Sequence, residues 1–182
     1  MSLDHIECAR RTIREIQYIT IATICTRNDS QPMGQPWNSP VYSAFDHDYN
    51  FYWASDRHSQ HSKNIRENPH VFLVIYNSTI PEGTGAGRGV YIQAQARELS
   101  DPDEIAPAHQ LLAGRVGKTP RAPENFLDDM PRRIYQAVPE QAWVNDDSER
   151  NGHFIDIRIE IDLALLLSVP ATQDTRRRSP TP

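Results

Sequence analysis

The chain has 182 residues, a formal net charge of −5 and a sequence pI of about 5.8. This length suits one domain with its own core, and the acidic balance excludes a broad nucleic-acid-binding surface. The two cysteines lack metal-like spacing, and the charged first twenty residues are unlike a signal peptide. No apolar run could span a bilayer, so we expect a cytoplasmic protein without a membrane segment.

The first third of the chain predicts one helix followed by strands. Residues 3–17 carry apolar side chains at helical spacing and predict an amphipathic helix. Residues 18–26 are rich in β-branched types and predict a strand. A second strand at 37–45 contains early prolines, which favour a sheet edge or an irregular stretch. A hairpin turn at 46–50 then leads to a strand at 51–54.

The remainder predicts two further helices and four further strands. The strand at its end alternates isoleucines with charged residues, which is typical of a strand with one buried face. We expect helices at 59–67 and 101–115, strands at 70–77, 90–99, 141–145 and 153–163, a proline-rich connection at 117–131 with a short helix near 124–129, and a turn at 146–152.

Six or seven strands with few helices between them predict a mainly β fold, built as a mostly antiparallel barrel. We interpret residues 1–169 as a single domain. Residues 170–182 are rich in Pro, Thr and Ser and include three adjacent arginines. That composition predicts a disordered tail rather than a binding face.

Polar side chains are concentrated where the strand at 51–54 leads into the helix at 59–67. The first turn of a helix has free backbone N–H groups and the positive end of the helix dipole, which together favour an anion. Two interpretations stay open: a phosphate site, or a surface helix capped by Ser55 or Ser59. The candidate donors are the hydroxyls of Ser55, Ser59 and Ser62, the imidazole of His61, and the charged groups of Arg57 and Lys63.

Five segments stand out in the order of the predicted elements. They are Trp-Asn-Ser-Pro-Val-Tyr at 37–42, Phe-Tyr-Trp-Ala-Ser at 51–55, Ser-Gln-His-Ser-Lys-Asn-Ile at 59–65, Asn-Pro at 68–69 and Gly-Arg-Gly-Val at 87–90. Together with the order of the elements, they resemble the pyridoxamine 5′-phosphate oxidase-like split-barrel flavoproteins. The resemblance covers about residues 3–165 and implies a split β-barrel with peripheral helices. It also implies FMN as the cofactor, a small-molecule substrate, and a homodimer with the cofactor at the interface.

The resemblance also implies which residues bind the cofactor. The strand at 37–42 would offer main-chain groups to the polar edge of the isoalloxazine ring, and the strand end at 53–55 would contact the ribityl chain and phosphate. Residues 59–62 match the family's phosphate-binding segment, and residues 88–89 would approach the flavin across the dimer. The implied residues are Trp37, Asn38, Ser39, Pro40, Val41, Trp53, Ala54, Ser55, Ser59, Gln60, His61, Ser62, Arg88 and Gly89.

His61 stands where this family usually has a lysine or arginine. A neutral imidazole has one donor and no formal charge, so this departure weakens the positive charge at the phosphate. A nearby phosphate dianion should raise the pKa of the imidazole and favour its charged form. We therefore expect His61→Ala to lower flavin affinity; unchanged affinity would contradict the assignment.

The sequence leaves the reaction open and argues against vitamin B6 oxidation. Tyr42 replaces the family's lysine, and the last strand offers only Arg158 as a cation, so no second phosphate site is evident. We prefer an FMN-dependent oxidoreductase whose proton donors cannot be named. The alternatives are a flavin carrier or sensor, a deazaflavin-dependent reductase, which a net charge of −5 does not favour, and a haem-handling barrel using His109 or His153.

Three further features have two interpretations each. The glycine run at 83–89 precedes a strand rather than opening a helix, so it is a flexible or flavin-covering loop and not a dinucleotide fingerprint. Trp143 could cover the flavin or lie in the core. His58 and His61 have the spacing of a metal-binding pair, but no third ligand is evident, and we expect no metal.

Overall fold

The computed structural model describes residues 3–26, 32–80 and 89–167, and these form a mainly β fold, as predicted. Most elements agree with the sequence predictions within a few residues. Their bounds are α1 Leu3–Glu15, β1 Tyr18–Ile24, β2 Pro36–Phe45, β3 Phe51–Asp56, α2 Gln60–Glu67, β4 His70–Ile75, β5 Val90–Glu98, α3 Pro102–Gly114, a 3₁₀ helix at Pro123–Phe126, β6 Arg132–Arg150, β7 His153–Ile161 and α4 Leu163–Leu167.

Six strands close into an antiparallel barrel. The strand order is β3-β2-β1-β4-β5-β6-β7, and β3 also pairs with β6, which joins the two sides of the sheet. The seventh strand, β7, extends the sheet beyond β6. This arrangement confirms the predicted split barrel of six or seven mostly antiparallel strands.

Alternate residues of each strand fill the barrel because successive side chains point to opposite faces of a sheet. On β5, Val90 and Ile92 are buried, whereas Gln95 and Arg97 are exposed. The helix α1 contributes Ile13 to the same core cluster. A second buried cluster lies on the outer side of β2, β3 and β6, where α3 and the 3₁₀ helix cover them.

The barrel is open along part of β2. Residues 36–42 of β2 pair with β1, whereas β3 pairs only with residues 43–45. At the end of β3, residues 54–56 pair with β6 on the other side. Within the described ranges, the first half of β2 therefore has one strand neighbour, and an opening separates it from the end of β3. We call this opening the slot.

The slot explains the two prolines of β2. Pro36 and Pro40 lie opposite Ile24 and Thr20 of β1, in the half of β2 that has a single strand neighbour. A proline has no N–H to donate and is tolerated at a strand edge. The sheet edge predicted from these prolines is therefore confirmed for the first half of β2.

The last third of the chain differs from the prediction. Strand β6 runs over 19 residues, Arg132–Arg150, where we predicted a strand at 141–145 and a turn at 146–152. Only Asn151 and Gly152 form the turn, with positive φ values of 54° and 76° that suit a tight hairpin. The polar residues before them look like a loop in sequence but pair with β7 in the hairpin. The prediction also missed α4.

Some predictions fall outside the described residues. These are Arg88, most of the glycine run, and the arginine-containing tail at 170–182 with its domain boundary. Among the residues that the structure describes, no helix has the length and apolar character to cross a membrane.

Candidate functional site

The helix α2 begins next to the end of β3, with Ser59 as its N-cap. The backbone of Ser59 is extended, and its Oγ accepts a hydrogen bond from the backbone N–H of Ser62 at 3.4 Å. Of the two N-cap candidates, the structure therefore selects Ser59 over Ser55. The backbone N–H groups of Gln60 and His61 lie in the first turn, where a helix has no internal acceptor for them.

Hydroxyl groups from three elements surround the imidazole of His61. Its Nε2 lies 2.8 Å from the Oγ of Ser55 on β3, and its Nδ1 lies 3.2 Å from the Oγ of Ser39 on β2. The Oγ of Ser59 lies 3.2 Å from Nε2. We call Ser39, Ser55, Ser59 and His61 the hydroxyl cluster. Ser39 and Ser55 belong to the two strand segments that border the slot.

The hydroxyl cluster is polar but carries little charge of its own. His61 is only 6% exposed, and its burial lowers the pKa of the imidazole below its ordinary value. Each hydroxyl can rotate to donate or to accept, and a neutral imidazole offers one donor and one acceptor. The cluster can therefore turn several donors toward an anion, while the protonation of His61 depends on what binds there.

Two buried polar side chains hold α2 in place behind the cluster. The hydroxyl of Ser62 donates to the carbonyl of Asp56 at 2.8 Å, and the amide of Asn64 donates to Oγ1 of Thr23 at 2.9 Å. Both side chains are almost fully buried. Because these bonds join α2 to β3 and β1, they fix the position of His61 relative to the slot.

Among the predicted cofactor-binding residues of β2 and β3, two have side chains in the core and two have exposed side chains. Val41 and Trp53 are buried in the core, and the Trp53 ring stacks on Tyr135 at a centroid distance of 5.5 Å. The side chains of these two residues are therefore not available to a ligand in the slot. Asn38 and Pro40 are exposed at the edge of the slot, so their side chains are accessible.

The remaining predicted residues of this region lie beside the hydroxyl cluster. Trp37 is 38% exposed, and its Nε1 donates to the Oγ of Ser39 at 3.0 Å. Gln60 donates along α2 to Oδ1 of Asn64 at 2.8 Å. Ala54 precedes Ser55 and points to the opposite face of β3, as alternation along a strand requires.

Gly89 occupies a separate place at the start of β5. Its backbone N–H donates to the side chain of Asn145 on β6, and its carbonyl accepts from the Asn145 backbone N–H at 3.3 Å. Its hydrogen bonds thus join β5 to β6 and not to the hydroxyl cluster. Its predicted role across a dimer stays a prediction, as does that of the adjacent Arg88.

The cations expected at the helix start do not reach the hydroxyl cluster. Arg57 donates to the carbonyl of Asp128 at 2.9 Å, so its charge faces the turn that follows the 3₁₀ helix. Lys63 is exposed, and its side chain has no hydrogen-bond partner in the described part of the chain. A phosphate at this place would depend on hydroxyls, backbone N–H groups and His61.

A second concave region lies on the opposite face of β3. This cavity has a volume of about 250 Å³ and is lined by α3, the connection after it, and residues of β2, β3 and β6. Ala54 lines it, whereas the next residue, Ser55, joins the hydroxyl cluster. Three cationic side chains line it as well, namely Lys118, Arg121 and Arg132. We call it the cationic pocket.

The cationic pocket was not predicted from the sequence. The last strand offered only Arg158 as a cation for a second phosphate, whereas the pocket takes Lys118 and Arg121 from the proline-rich connection and Arg132 from the start of β6. Tyr42 also lines the pocket, and its hydroxyl donates to the carbonyl of Leu112 at 3.2 Å. Nothing in the spacing of these residues predicts that they meet, because the fold of α3 and β6 brings them together.

Two residues left open by the sequence now have defined environments. Trp143 lies half-buried on the outer face of the barrel and stacks near Phe72 at a centroid distance of 6.2 Å, so it is not a core residue. Among the described residues, the group of three metal-ligating side chains that the structure brings together is Asp46, His47 and Asp48, at the turn between β2 and β3. It does not include the pair His58 and His61.

Comparison with solved structures finds similar folds at low identity. A protein of unknown function from Agrobacterium tumefaciens has a TM-score of 0.60 and 16% identity, with 79% of this chain and 57% of that chain covered. A heme binding protein from Mycobacterium smegmatis has a TM-score of 0.60 and 18% identity, with coverage of 84% and 57%. A FAD-binding protein from Mesorhizobium loti has a TM-score of 0.55 and 21% identity, with coverage of 79% and 94%.

The chain spans 57% of the length of the Agrobacterium and Mycobacterium structures, and at these identities the likeness shows the fold alone. Comparison with curated proteins gives no match. A family model described as pyridoxamine 5′-phosphate oxidase matches residues 7–145, which takes in the barrel through the middle of β6. The chain therefore belongs to the pyridoxamine 5′-phosphate oxidase family.

Proposed function

We propose that this protein is an FMN-dependent oxidoreductase acting on a small molecule, with the flavin in the slot and its phosphate at the hydroxyl cluster. The observation that carries the proposal is the convergence of Ser39, Ser55 and Ser59 on His61 at the start of α2. Charged acceptors such as phosphate form stronger hydrogen bonds than neutral ones. A phosphate group would exchange the mutual hydrogen bonds of the cluster for these stronger ones.

The donors present fit a phosphate, with a charge deficit that the helix partly offsets. The first-turn N–H groups of Gln60 and His61 and the positive end of the α2 dipole favour an anion at this place. Ser55 and Ser59 add hydroxyl donors. A dianion bound beside His61 would also favour the protonated imidazole, which adds the missing positive charge.

The slot fits the polar edge of an isoalloxazine ring. Residues 36–42 of β2 have one strand neighbour in the described structure, so their second edge leaves main-chain N–H and C=O groups available. When bound, the flavin would carry the hydride or electron transfer. The chain's part is to orient the ring through this strand edge and to hold the phosphate.

The outer face of the barrel supports a homodimer. Three aromatic residues, Phe72, Tyr91 and Trp143, form a patch with Val74 on neighbouring strands, and all four side chains are half-buried. We call these four residues the outer aromatic face. Apolar patches that remain partly accessible on the surface can mark interaction sites. A second copy of the chain is the occupant that the family suggests.

The strand register links the outer aromatic face to the slot. Pro40 pairs with Thr20, Thr20 pairs with Val74, and Val74 pairs with Tyr91, so these side chains form one row across four strands on the same face. A partner that covers the row would also cover the edge of β2 that borders the slot. A flavin in the slot would then have walls from both copies.

The proposal is tested by the cofactor of the purified protein. We expect a yellow protein with a flavin absorption spectrum, and FMN in the extract released by heat or mild acid. Bleaching by a reduced nicotinamide, followed by turnover in air, would support an enzyme over a carrier. A colourless protein that does not quench the fluorescence of added FMN would contradict the proposal, and a haem spectrum would replace it.

We predict that Ser55→Ala weakens FMN binding and leaves riboflavin binding unchanged. Ser55 lies at the proposed phosphate, and a hydrogen bond to a charged group contributes about 1.5 to 3 kcal/mol, which corresponds to roughly tenfold to a hundredfold in affinity. Riboflavin lacks the phosphate and should not report the loss. Fluorescence-quenching titrations with both flavins measure the difference.

The matched control for this prediction is Ser43→Ala. Ser43 is a buried serine on β2 whose hydroxyl has no hydrogen-bond partner in the described structure. Its replacement should therefore leave both affinities unchanged. If Ser55→Ala weakens FMN and riboflavin equally, Ser55 does not contact the phosphate.

A further inference from the structure

We propose that the cationic pocket binds the anionic group of the substrate, a carboxylate or phosphate carried on a small apolar body. This inference rests on the proposed function, since the ligand of the pocket is a substrate only if the protein is such an enzyme. The binding that it predicts can be measured without flavin. It assigns a site to residues that the phosphate-binding segment does not include, on the opposite face of β3 from the hydroxyl cluster.

The first support is a set of cations without anionic partners. In the described part of the chain, Lys118, Arg121 and Arg132 form no salt bridge, and the side chains of Lys118 and Arg121 form no hydrogen bond. Arg132 donates only to the carbonyl of Ala54, at 3.1 Å. Three positive charges that line one concave wall raise the local positive potential and favour an anion there.

Other arginines of the chain form ion pairs with carboxylates. Arg66 and Arg133 both contact Glu98, at 3.3 Å and 2.9 Å, and Arg97 contacts Glu104 at 2.5 Å. The chain has an acidic excess, with a net charge of −5. The three cations of the pocket are exposed and unpaired among the described residues, so their charges are available to a ligand that enters the pocket.

His109 adds a neutral donor to the lining of the cationic pocket. Its Nδ1 accepts a hydrogen bond from the backbone N–H of Arg121 at 3.0 Å. Nδ1 must then be unprotonated, and the proton of the neutral ring is on Nε2. Burial lowers the pKa of His109 below its ordinary value. The ring is thus held as an N–H donor at Nε2.

The size and lining of the pocket limit the body of the ligand. A volume of about 250 Å³ is below the range of about 300 to 1,000 Å³ typical of drug-sized ligands. Leu112, Val116 and Phe126 line the pocket, and Phe126 lies against His109 at a ring distance of 4.5 Å. One flat ring with one anionic group matches this combination of apolar and cationic walls.

The place of the pocket relative to the slot supports a substrate role. Tyr42 is the last residue of β2 that lacks pairing with β3, and Ala54 is the first residue of β3 beyond that pairing. Both residues line the cationic pocket. A molecule in the pocket would therefore lie beside the end of the slot where the proposed flavin ring runs along β2.

The test is a set of separate titrations of the full chain with benzoate, phenyl phosphate and neutral benzamide. Calorimetry or ligand-observed NMR measures the binding of each compound. We expect at least one anion to bind, benzamide not to bind, and the affinity to fall with added salt. Preference for benzoate identifies a carboxylate ligand, and preference for phenyl phosphate identifies a phosphate ligand. Equal binding of benzamide would overturn the inference.

Variants locate the binding. Arg121→Gln and Arg132→Gln should each weaken anion binding by about tenfold, since each removes one charge-assisted contact. The matched control is Arg150→Gln, an exposed arginine at the far hairpin of β6, which should change nothing. If all three variants bind the anion with the same affinity, the anion does not lie in this pocket. The inference then fails even though the protein binds an anion.

His109 provides an independent readout. We expect the ¹⁵N resonances of its ring to show the Nε2–H form at neutral pH, and His109→Phe to weaken anion binding more than His109→Gln, which keeps a donor. The failure of this inference can be distinguished from the failure of the proposed function. FMN binding with no anion binding refutes only the pocket, whereas anion binding that depends on Arg121 with no FMN binding refutes only the flavin.

Discussion

Replacing Phe72 with aspartate is expected to give a monomer that binds FMN at least on the order of a hundredfold more weakly than the original chain. Phe72 lies in the middle of the outer aromatic face, with ring distances of 6.5 Å to Tyr91 and 6.2 Å to Trp143. A carboxylate at this position would have to be desolvated without a partner when two copies associate, which costs several kcal/mol. The variant links assembly to cofactor binding because the face is continuous with the slot.

Sedimentation or size-exclusion measurements give the mass of each variant, and FMN titrations give the affinity. The matched control is Leu111→Asp, which places the same charge at a partly exposed apolar residue of α3. It should leave the mass and the FMN affinity unchanged. Circular dichroism of both variants separates loss of assembly from loss of folding. A folded, monomeric Phe72→Asp protein with full FMN affinity would contradict an interface site, and so would an unaltered chain that is itself monomeric.

The strands with one buried face could be predicted from sequence because their periodicity is local. On β7, Ile157 and Ile159 are half-buried, whereas Asp156 and Arg158 are exposed, as the alternation predicts. The start of α2 was also predictable, since an N-cap serine followed by polar donors depends on neighbours in sequence. The fold then brings the hydroxyl of Ser39 to these donors across the slot. The family resemblance placed this strand along the flavin ring, and neither it nor the local pattern predicted the contact.

The start of β6 and the cationic pocket could not be predicted in this way. Residues 132–140 mix arginines, apolar residues and Pro139, so no clear alternation indicates a strand. They form one because β3 and β5 both pair with them, and the ladder shifts by one residue opposite Ala94, where Pro139 is accommodated. Arg132 reaches the pocket only through this pairing. Sites assembled by non-local strand pairing leave no spacing pattern in the chain.

Non-local packing also explains why the positive charge expected at the start of α2 is absent from the hydroxyl cluster. Sequence proximity suggested that Arg57 or Lys63 would add a positive charge at the helix start. Arg57 instead satisfies a carbonyl of the turn after the 3₁₀ helix, because that turn packs beside the end of β3. The hydroxyl cluster is therefore left with His61 as its titratable group, and its charge becomes dependent on pH and on the ligand.

His61 should make FMN binding weaken as the pH rises. In the free protein, burial lowers the pKa of the imidazole below its ordinary value, so the ring is neutral near pH 7. A phosphate dianion beside it raises this pKa, because it stabilises the charged form. Between the free and bound pKa values, the complex holds one more proton than its separated components. Affinity therefore falls by up to about tenfold per pH unit across that window, and is constant above it.

Titrations from about pH 6 to about pH 9 measure the effect, since the second ionisation of the phosphate lies near pH 6 and acts in the opposite direction below it. His61→Gln keeps a neutral donor and should bind FMN weakly with no slope over this range. His61→Lys places a charge at the same position and should bind tightly with no slope, because the ordinary pKa of lysine, about 10.4, lies above this range and the phosphate stabilises the charged form. Only the original chain should change from strong to weak FMN binding as the pH rises. Identical profiles for the original chain and His61→Gln would show that the imidazole takes up no proton, and the phosphate would then have to lie away from the hydroxyl cluster.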